Sequence, residues 1–529
     1  MANGLDHAMT FPQTAIGKGT VGEPAEAPAG KEGVTVRVAI FFDGTKSNRT
    51  NTTKRLNDPT GYFLKLKGAG SSYGNSYSNP AIHELMNKRK DPAKHEVSTY
   101  IEGIGTEDFS DEDQESGNVS DKKNGQDTLR GNGFGAGSAG IREKVQKGIN
   151  KLNKKIKESY TFKEQYIEKI VVDAFGFSRG AAAARHFIYR RAFLYGPWPD
   201  QKRPKVVINF VGLYDTVSSF APGIANKWGL LKNLRNALNT DRLFCDDVKE
   251  LGLDMGALPN QVVHLTAGDE HRQNFSLTTI NTTLAAGKGV EVRLPGVHSD
   301  IGGSYVERDP ANPTHDPAQP IRDLNQEARR VASSAERQRL IEEGWYTAGQ
   351  FEDRNPALRG GVDLNGFPEP SVPRLTGVRY LSNEYQYVTL RLMHRFALGQ
   401  LGGAHKKMDL ADFSEDRYVA YQVPAPLLSL ADHFGTEAQT RGRRPVASND
   451  DKYPNGTPPE ALECRSEAER NWLRNRYLHR SAKLKGDFEP LGMEKRKDEL
   501  RLVIPDDDLA YRPPSLRPKS APTAEAVTG

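Results

Sequence analysis

Ile170-Val171-Val172-Asp173-Ala174-Phe175-Gly176-Phe177-Ser178-Arg179-Gly180-Ala181-Ala182-Ala183-Ala184 decides how this chain is read. Its apolar, β-branched start suits a buried strand, and its four alanines suit a helix. Between them Gly176, Ser178 and Gly180 fit G-x-S-x-G, the spacing of a nucleophile elbow. Such a turn lifts a serine hydroxyl above a sheet. Its glycines remove Cβ clashes, and the helix N-terminus offers amides to a developing oxyanion. The five-residue pattern alone is common; the strand before it and the helix after it give it weight.

Outward from the elbow, other apolar strands end in residues that can do chemistry. Residues 34–42 run into Asp43-Gly44-Thr45, 205–214 into Asp215, 261–267 toward Asp269, and 290–294 into Pro295-Gly296-Val297-His298. Helical stretches alternate with them; Ile141, Val145, Ile149, Leu152 and Ile156 recur every three or four residues. This predicts an α/β fold of the α/β-hydrolase type, a mostly parallel sheet with helices on both faces. Sites in such sheets form at the carboxyl ends of strands, where Ser178, Asp215, Asp269 and His298 all fall.

A serine hydroxyl attacks only when a histidine takes its proton and a carboxylate orients that histidine. The order Ser178, acid, His298 matches the α/β-hydrolase order. Among the twelve histidines, His298 lies in a glycine-rich loop after a strand, whereas His186 follows the elbow on its helix and His264 sits inside a strand. Asp215 is the favoured acid and Asp269 the alternative, since Arg272 gives the Asp269-Glu270 pair a structural partner. Asp300 is a candidate support for His298. The oxyanion donors expected are the backbone amides of Arg179 and of Gly44 or Thr45, with Asp43 fixing the loop.

The rest of the chain bounds this reading. Its 529 residues carry 73 basic and 68 acidic side chains, net +5, without a basic stripe, so no nucleic-acid partner is expected. Two cysteines, Cys245 and Cys464, are too few for a disulfide framework or a thiolate metal site. The acid-rich loop at 103–140 lacks the Asp-x-Asp-x-Asp-Gly pattern, so no metal or other cofactor is expected. No secretory signal and no membrane-spanning run is visible. Residues 1–33 read as a flexible segment and 34–310 as the catalytic domain. An insert at 222–258, with Ile224, Trp228, Leu231, Leu234 and Leu238 at helical spacing, is a core helix or a lid. Residues 311–505 read as a helical and loop-rich appendage for a membrane or partner, and 506–529 as a disordered tail. Within the appendage, helices are expected at 320–344 and 383–398, and polar loops over 402–482. Asp43-Gly44-Thr45 also matches the end of a haloacid dehalogenase phosphatase motif, but its nucleophilic aspartate would fall on Phe41.

Four motifs in order, Phe41-Phe42-Asp43-Gly44-Thr45, Gly176-Phe177-Ser178-Arg179-Gly180, Gly212-Leu213-Tyr214-Asp215-Thr216-Val217 and Pro295-Gly296-Val297-His298-Ser299-Asp300-Ile301-Gly302-Gly303, resemble a bacterial α/β-hydrolase family. Its best-known members are phospholipase effectors of type VI secretion systems. The resemblance covers residues 34–310, with fainter echoes at 388–393 and 476–481. It implies a serine phospholipase (A1 or A2 type) that hydrolyses fatty-acyl esters of membrane glycerophospholipids. It further implies synthesis in the bacterial cytoplasm, delivery by spike or tip proteins into a rival's periplasm, and an immunity protein that neutralises the toxin. A soluble esterase or peptidase on the same triad, and a non-catalytic delivery module, are the alternatives.

Overall fold

The computed structural model describes residues 30–57, 71–106, 109–110, 140–161, 163–196, 203–218, 251–272, 275–306, 326–330, 334–353, 375–401, 408–441 and 461–480, together with 501, 503, 504 and 506. The N-terminal segment to 29, most of the acid-rich loop, the insert through Ile224–Leu238, Cys245 and the tail from 507 lie outside the described residues.

The strands are β1 (Glu32–Phe42), β2 (Glu96–Ile101), β3 (Gln165–Phe177), β4 (Lys205–Tyr214), β5 (Pro259–Ala267), β6 (Leu277–Thr278), β7 (Gly289–Leu294), β8 (Gln326–Arg330), β9 (Phe351–Asp353), β10 (Leu375–Tyr380) and β11 (Val503–Ile504). Six of them form one sheet in the order β2-β1-β3-β4-β5-β7. Every neighbouring pair in it runs parallel. The chain leaves β1 on one side for β2 and returns on the other for β3. Strand order therefore reverses between β1 and β3, the place where sheets of this kind carry their sites, beyond the carboxyl ends of the strands. Gly44 and Ser178 stand at that reversal.

The alternation of side chains along β1 and β3 sorts the core into two layers. Val36, Val38, Ile40, Val172 and Ala174 face helix Ile141–Glu158 and the elbow helix Arg179–Tyr189, meeting Val145, Ile149, Leu152, Ala181 and Phe187. Phe41, Phe175, Phe177, Phe210 and Tyr214 face the other way. They meet Tyr385, Val388, Leu392, Met393 and Phe396 of helix Tyr385–Ala397. Each such large apolar side chain contributes about 1.5–3 kcal/mol by leaving water. The layer that covers the second face thus comes from the region read as an appendage.

Two local expectations differ from the structure. Residues 326–330 are a strand, not helix, because they pair antiparallel with β10 in a small second sheet; helix Ser334–Glu342 follows. The stretch read as polar loops holds helices Ala425–Arg441 and Glu467–Arg476. Leu427, Leu430, Ala431, Phe434 and Ala438 bury one stripe of the first, and Ser466 caps the second. The edge strand β2 had no expectation attached to it. Among the described residues no helix is long and apolar enough to cross a membrane.

Candidate active site

The elbow is built as its spacing requires. Ser178 adopts φ 60° and ψ −129°, a conformation that costs a non-glycine residue about 1–3 kcal/mol. The strain is held from both sides. Ser178 N donates to Tyr214 O at 2.9 Å, and Ala181 N donates back to Ser178 O at 3.0 Å. A Cβ on Gly176 would sit 2.6 Å from Ala181 Cα, and one on Gly180 would sit 2.6 Å from Phe42 O. Both glycines are therefore steric necessities of this turn. Ser178 itself is buried, as are Asp215 and His298.

Asp215 follows β4 with a positive φ of 45°. Its amide continues the ladder to Leu265 O at 2.8 Å, so the turn comes one residue past the strand. His298 opens the short helix His298–Gly302 after β7. The two meet: His298 Nδ1 lies 2.5 Å from Asp215 Oδ2. An ionised carboxylate only accepts, so Nδ1 carries the proton and Nε2 is left with its lone pair. The imidazole sits between Phe177, ring centroids 4.6 Å apart, and Phe275, edge-on at 4.9 Å. Burial among these rings lowers its pKa, although Asp215 pulls the other way.

Burial alone would push the Asp215 carboxyl up, but its partners reverse the sign. Arg501 grips it with NH1 to Oδ1 at 2.6 Å and NH2 to Oδ2 at 2.8 Å. Ala267 N donates to Oδ1 at 2.9 Å. Arg501 and His298 together hold the carboxyl well below the usual carboxylate range. Arg501 was not singled out from the sequence. It belongs to no motif and lies 286 residues from its partner.

The structure does not bring Asp269 to His298 Nδ1. Its carboxylate accepts from Gly296 N at 2.7 Å and pairs with Arg474 at 3.1 Å. Glu270 pairs with Arg272 at 2.8 Å and also accepts from His298 N at 3.2 Å, which fixes the start of the histidine's helix. Asp300 accepts from Val297 N, from His479 N and from His479 Nδ1, the last at 2.7 Å. One faint C-terminal motif thus reaches the His298 loop. His264 accepts from Thr216 N through Nε2 at 3.1 Å and donates from Nδ1 to Glu291 at 2.8 Å, which props the turn after Asp215. His186 Nδ1 instead faces Leu251 O.

At the end of β1, Asp43 fixes its loop as expected. It accepts from Tyr100 and from Gly44 N. The Gly44 amide is engaged at 2.7 Å by that carboxylate, because the Asp43 side chain folds back over the next peptide. The neighbouring Thr45 has a buried hydroxyl without a partner among the described residues. What Gly44 supplies is space: a Cβ there would collide with the Phe177 ring, and one on Gly302 would collide with the same ring. Phe177 is therefore clamped between two glycines, directly before Ser178. Among the described residues no three metal-ligating side chains gather.

The family model described as T6SS, phospholipase effector Tle1-like, catalytic domain matches residues 198–323, the stretch that holds Asp215, Asp269 and His298. No curated protein matches the chain. A solved structure described as the Tle1 effector bound to the VgrG spike from the Type 6 secretion system is similar over 90% of this chain and 94% of that one, with 21% identity and a TM-score of 0.50. An uncharacterized protein from Pseudomonas aeruginosa aligns over 78% of this chain and 51% of its own, at 15% identity and a TM-score of 0.36, too distant to carry an argument. The family match bears out the resemblance to type VI secretion phospholipase effectors. The first structural likeness bears out the α/β fold.

Proposed function

We propose that this chain is a serine phospholipase that hydrolyses fatty-acyl esters of membrane glycerophospholipids. The reading is carried by one observation: a strained, buried Ser178 stands at the strand reversal, and His298 Nδ1 beyond the neighbouring strands lies 2.5 Å from Asp215. In this reading Ser178 Oγ attacks the acyl carbonyl while His298 Nε2 takes its proton. Asp215 holds the Nδ1 proton and stabilises the imidazolium. The tetrahedral oxyanion faces the amide of Arg179, the residue after the nucleophile and the first of the elbow helix. A second amide comes from the loop after β1. With Gly44 N donating to Asp43, Thr45 is the donor assigned here, in place of Gly44. Collapse of the intermediate sends the His298 proton to the departing glycerol oxygen, and water then releases the fatty acid by the same route.

The biological setting follows from the resemblance. The chain acts as an antibacterial toxin made in the cytoplasm, carried by a type VI spike into the periplasm of a target cell, and blocked in the producer by an immunity protein. Its substrate is the membrane lipid itself. Incubation with defined phospholipid vesicles should release free fatty acid and lysophospholipid, and Ser178→Ala should abolish both products with the fold intact. Full activity in Ser178→Ala would overturn the serine mechanism. Turnover of short soluble esters without attack on vesicles would move the substrate class to soluble esters.

A further inference from the structure

The last described residues of the chain return to the site from far away. β11 pairs parallel with β6, beside the loop that carries Phe275. On either side of β11 a charged side chain is buried against the catalytic layer. Asp506 meets Arg185 of the elbow helix at 3.1 Å, both fully buried. Arg501 meets Asp215 through two parallel bonds, and its Nε donates to Phe275 O at 2.7 Å. This guanidinium is thus held by three bonds, two to the carboxylate and one to the Phe275 carbonyl. We propose that Arg501 is a positioning residue of the Ser178–His298–Asp215 site: its fork locks the Asp215 rotamer that faces His298 Nδ1 and supplies the counter-charge of that buried carboxylate. The inference rests on the serine-hydrolase reading above.

A fork differs from a point charge. It fixes both carboxylate oxygens in one plane, so Oδ2 cannot swing away from the imidazole when the proton moves. Its charge also acts on His298. The charged groups around the imidazole are Asp215 ahead of Nδ1, Glu270 at its backbone amide, Arg272 across the Phe275 ring and Arg501 behind Asp215. Beneath them His264 is tied to Glu291. Of these, Arg501 is the cation that bonds Asp215 directly. Removing it leaves the carboxylate against Nδ1 without its bonded counter-charge, which favours the imidazolium and disarms the base at a pH where the native histidine is neutral.

The test is the rate at which a fluorophosphonate probe labels Ser178, measured against pH. It reads the activated serine without requiring a particular lipid. Arg501→Gln should shift the acid limb of this profile upward by about one pH unit and lower the plateau roughly ten- to a hundredfold. Arg501→Lys keeps the charge but loses the fork, so its limb should stay in place while its plateau falls. A limb that does not move in folded Arg501→Gln overturns the inference, as a purely structural role would only lower the plateau. If Arg501→Gln does not fold, Arg501→Lys decides: a plateau lowered tenfold or more supports the fork, and wild-type labelling overturns it. Failure of the unsubstituted protein to label at all would instead sink the serine-hydrolase reading.

Discussion

Gly180 of the elbow helix lies so close to Phe42 of β1 that a Cβ on it would stand 2.6 Å from the Phe42 carbonyl oxygen. This contact sets the height of the helix over the sheet at the point where Ser178 emerges. Gly180→Ala must push helix from strand, at a cost of about 1–3 kcal/mol or more. Thermal unfolding should show a lowered Tm, and probe labelling of Ser178 should fall with it. Gly349 is the control: a Cβ there meets nothing within 4 Å, so Gly349→Ala should change stability by less than about 0.5 kcal/mol.

The two candidate acids should separate by rate. Asp215→Asn breaks the bond that fixes the His298 tautomer, so kcat/KM should fall by about 10³–10⁴. Asp269→Asn alters a carboxylate that, among the described residues, bonds Gly296 and Arg474, and its loss should be far smaller. Steady-state kinetics of both variants on one ester decides the matter. The reverse ranking would make Asp269 the acid.

Stability should also carry a signature of Asp173, buried in the middle of β3. Burial pushes its carboxyl up from the usual 3.8 to about 7, against a bond from Asn209 at 2.7 Å. A raised folded pKa gives stability that is fully present below about pH 4 and is lost as pH rises toward 7. Asp173→Asn should therefore raise Tm by a few degrees at pH 8 and leave it nearly unchanged at pH 4, as read by thermal melts across that range. An equal shift at both pH values would remove the ionisation argument.

Much of the site was legible because its members follow strands. Ser178 and His298 stand in glycine-marked turns whose spacing states what the backbone must do, and the clashes that a Cβ would meet at Gly176 and Gly180 are the physical content of that spacing. Asp215 and Asp269 looked alike in sequence because each comes after a strand. What separates them is the left-handed turn at Asp215, which local composition does not announce. Helix Ala425–Arg441 escaped notice because its buried stripe is diluted by polar neighbours, and β8 because pairing with β10 overrode the helical propensity of its residues. Arg501 had no local signal at all. Its role exists only once the chain has folded back across 286 residues.

That span has a consequence in time. A ribosome adding about 5–20 residues per second needs roughly 15 to 60 s to travel from Asp215 to Arg501. Throughout that interval the nascent chain already holds Ser178, Asp215 and, soon after, His298, but the aspartate lacks its guanidinium. In the proposed mechanism, the cell that makes this protein therefore handles a chain whose nucleophile, base and acid are all translated while the clamp on the acid is still to come. The segment bearing Arg501 docks beside β6 late in synthesis, after it leaves the exit tunnel.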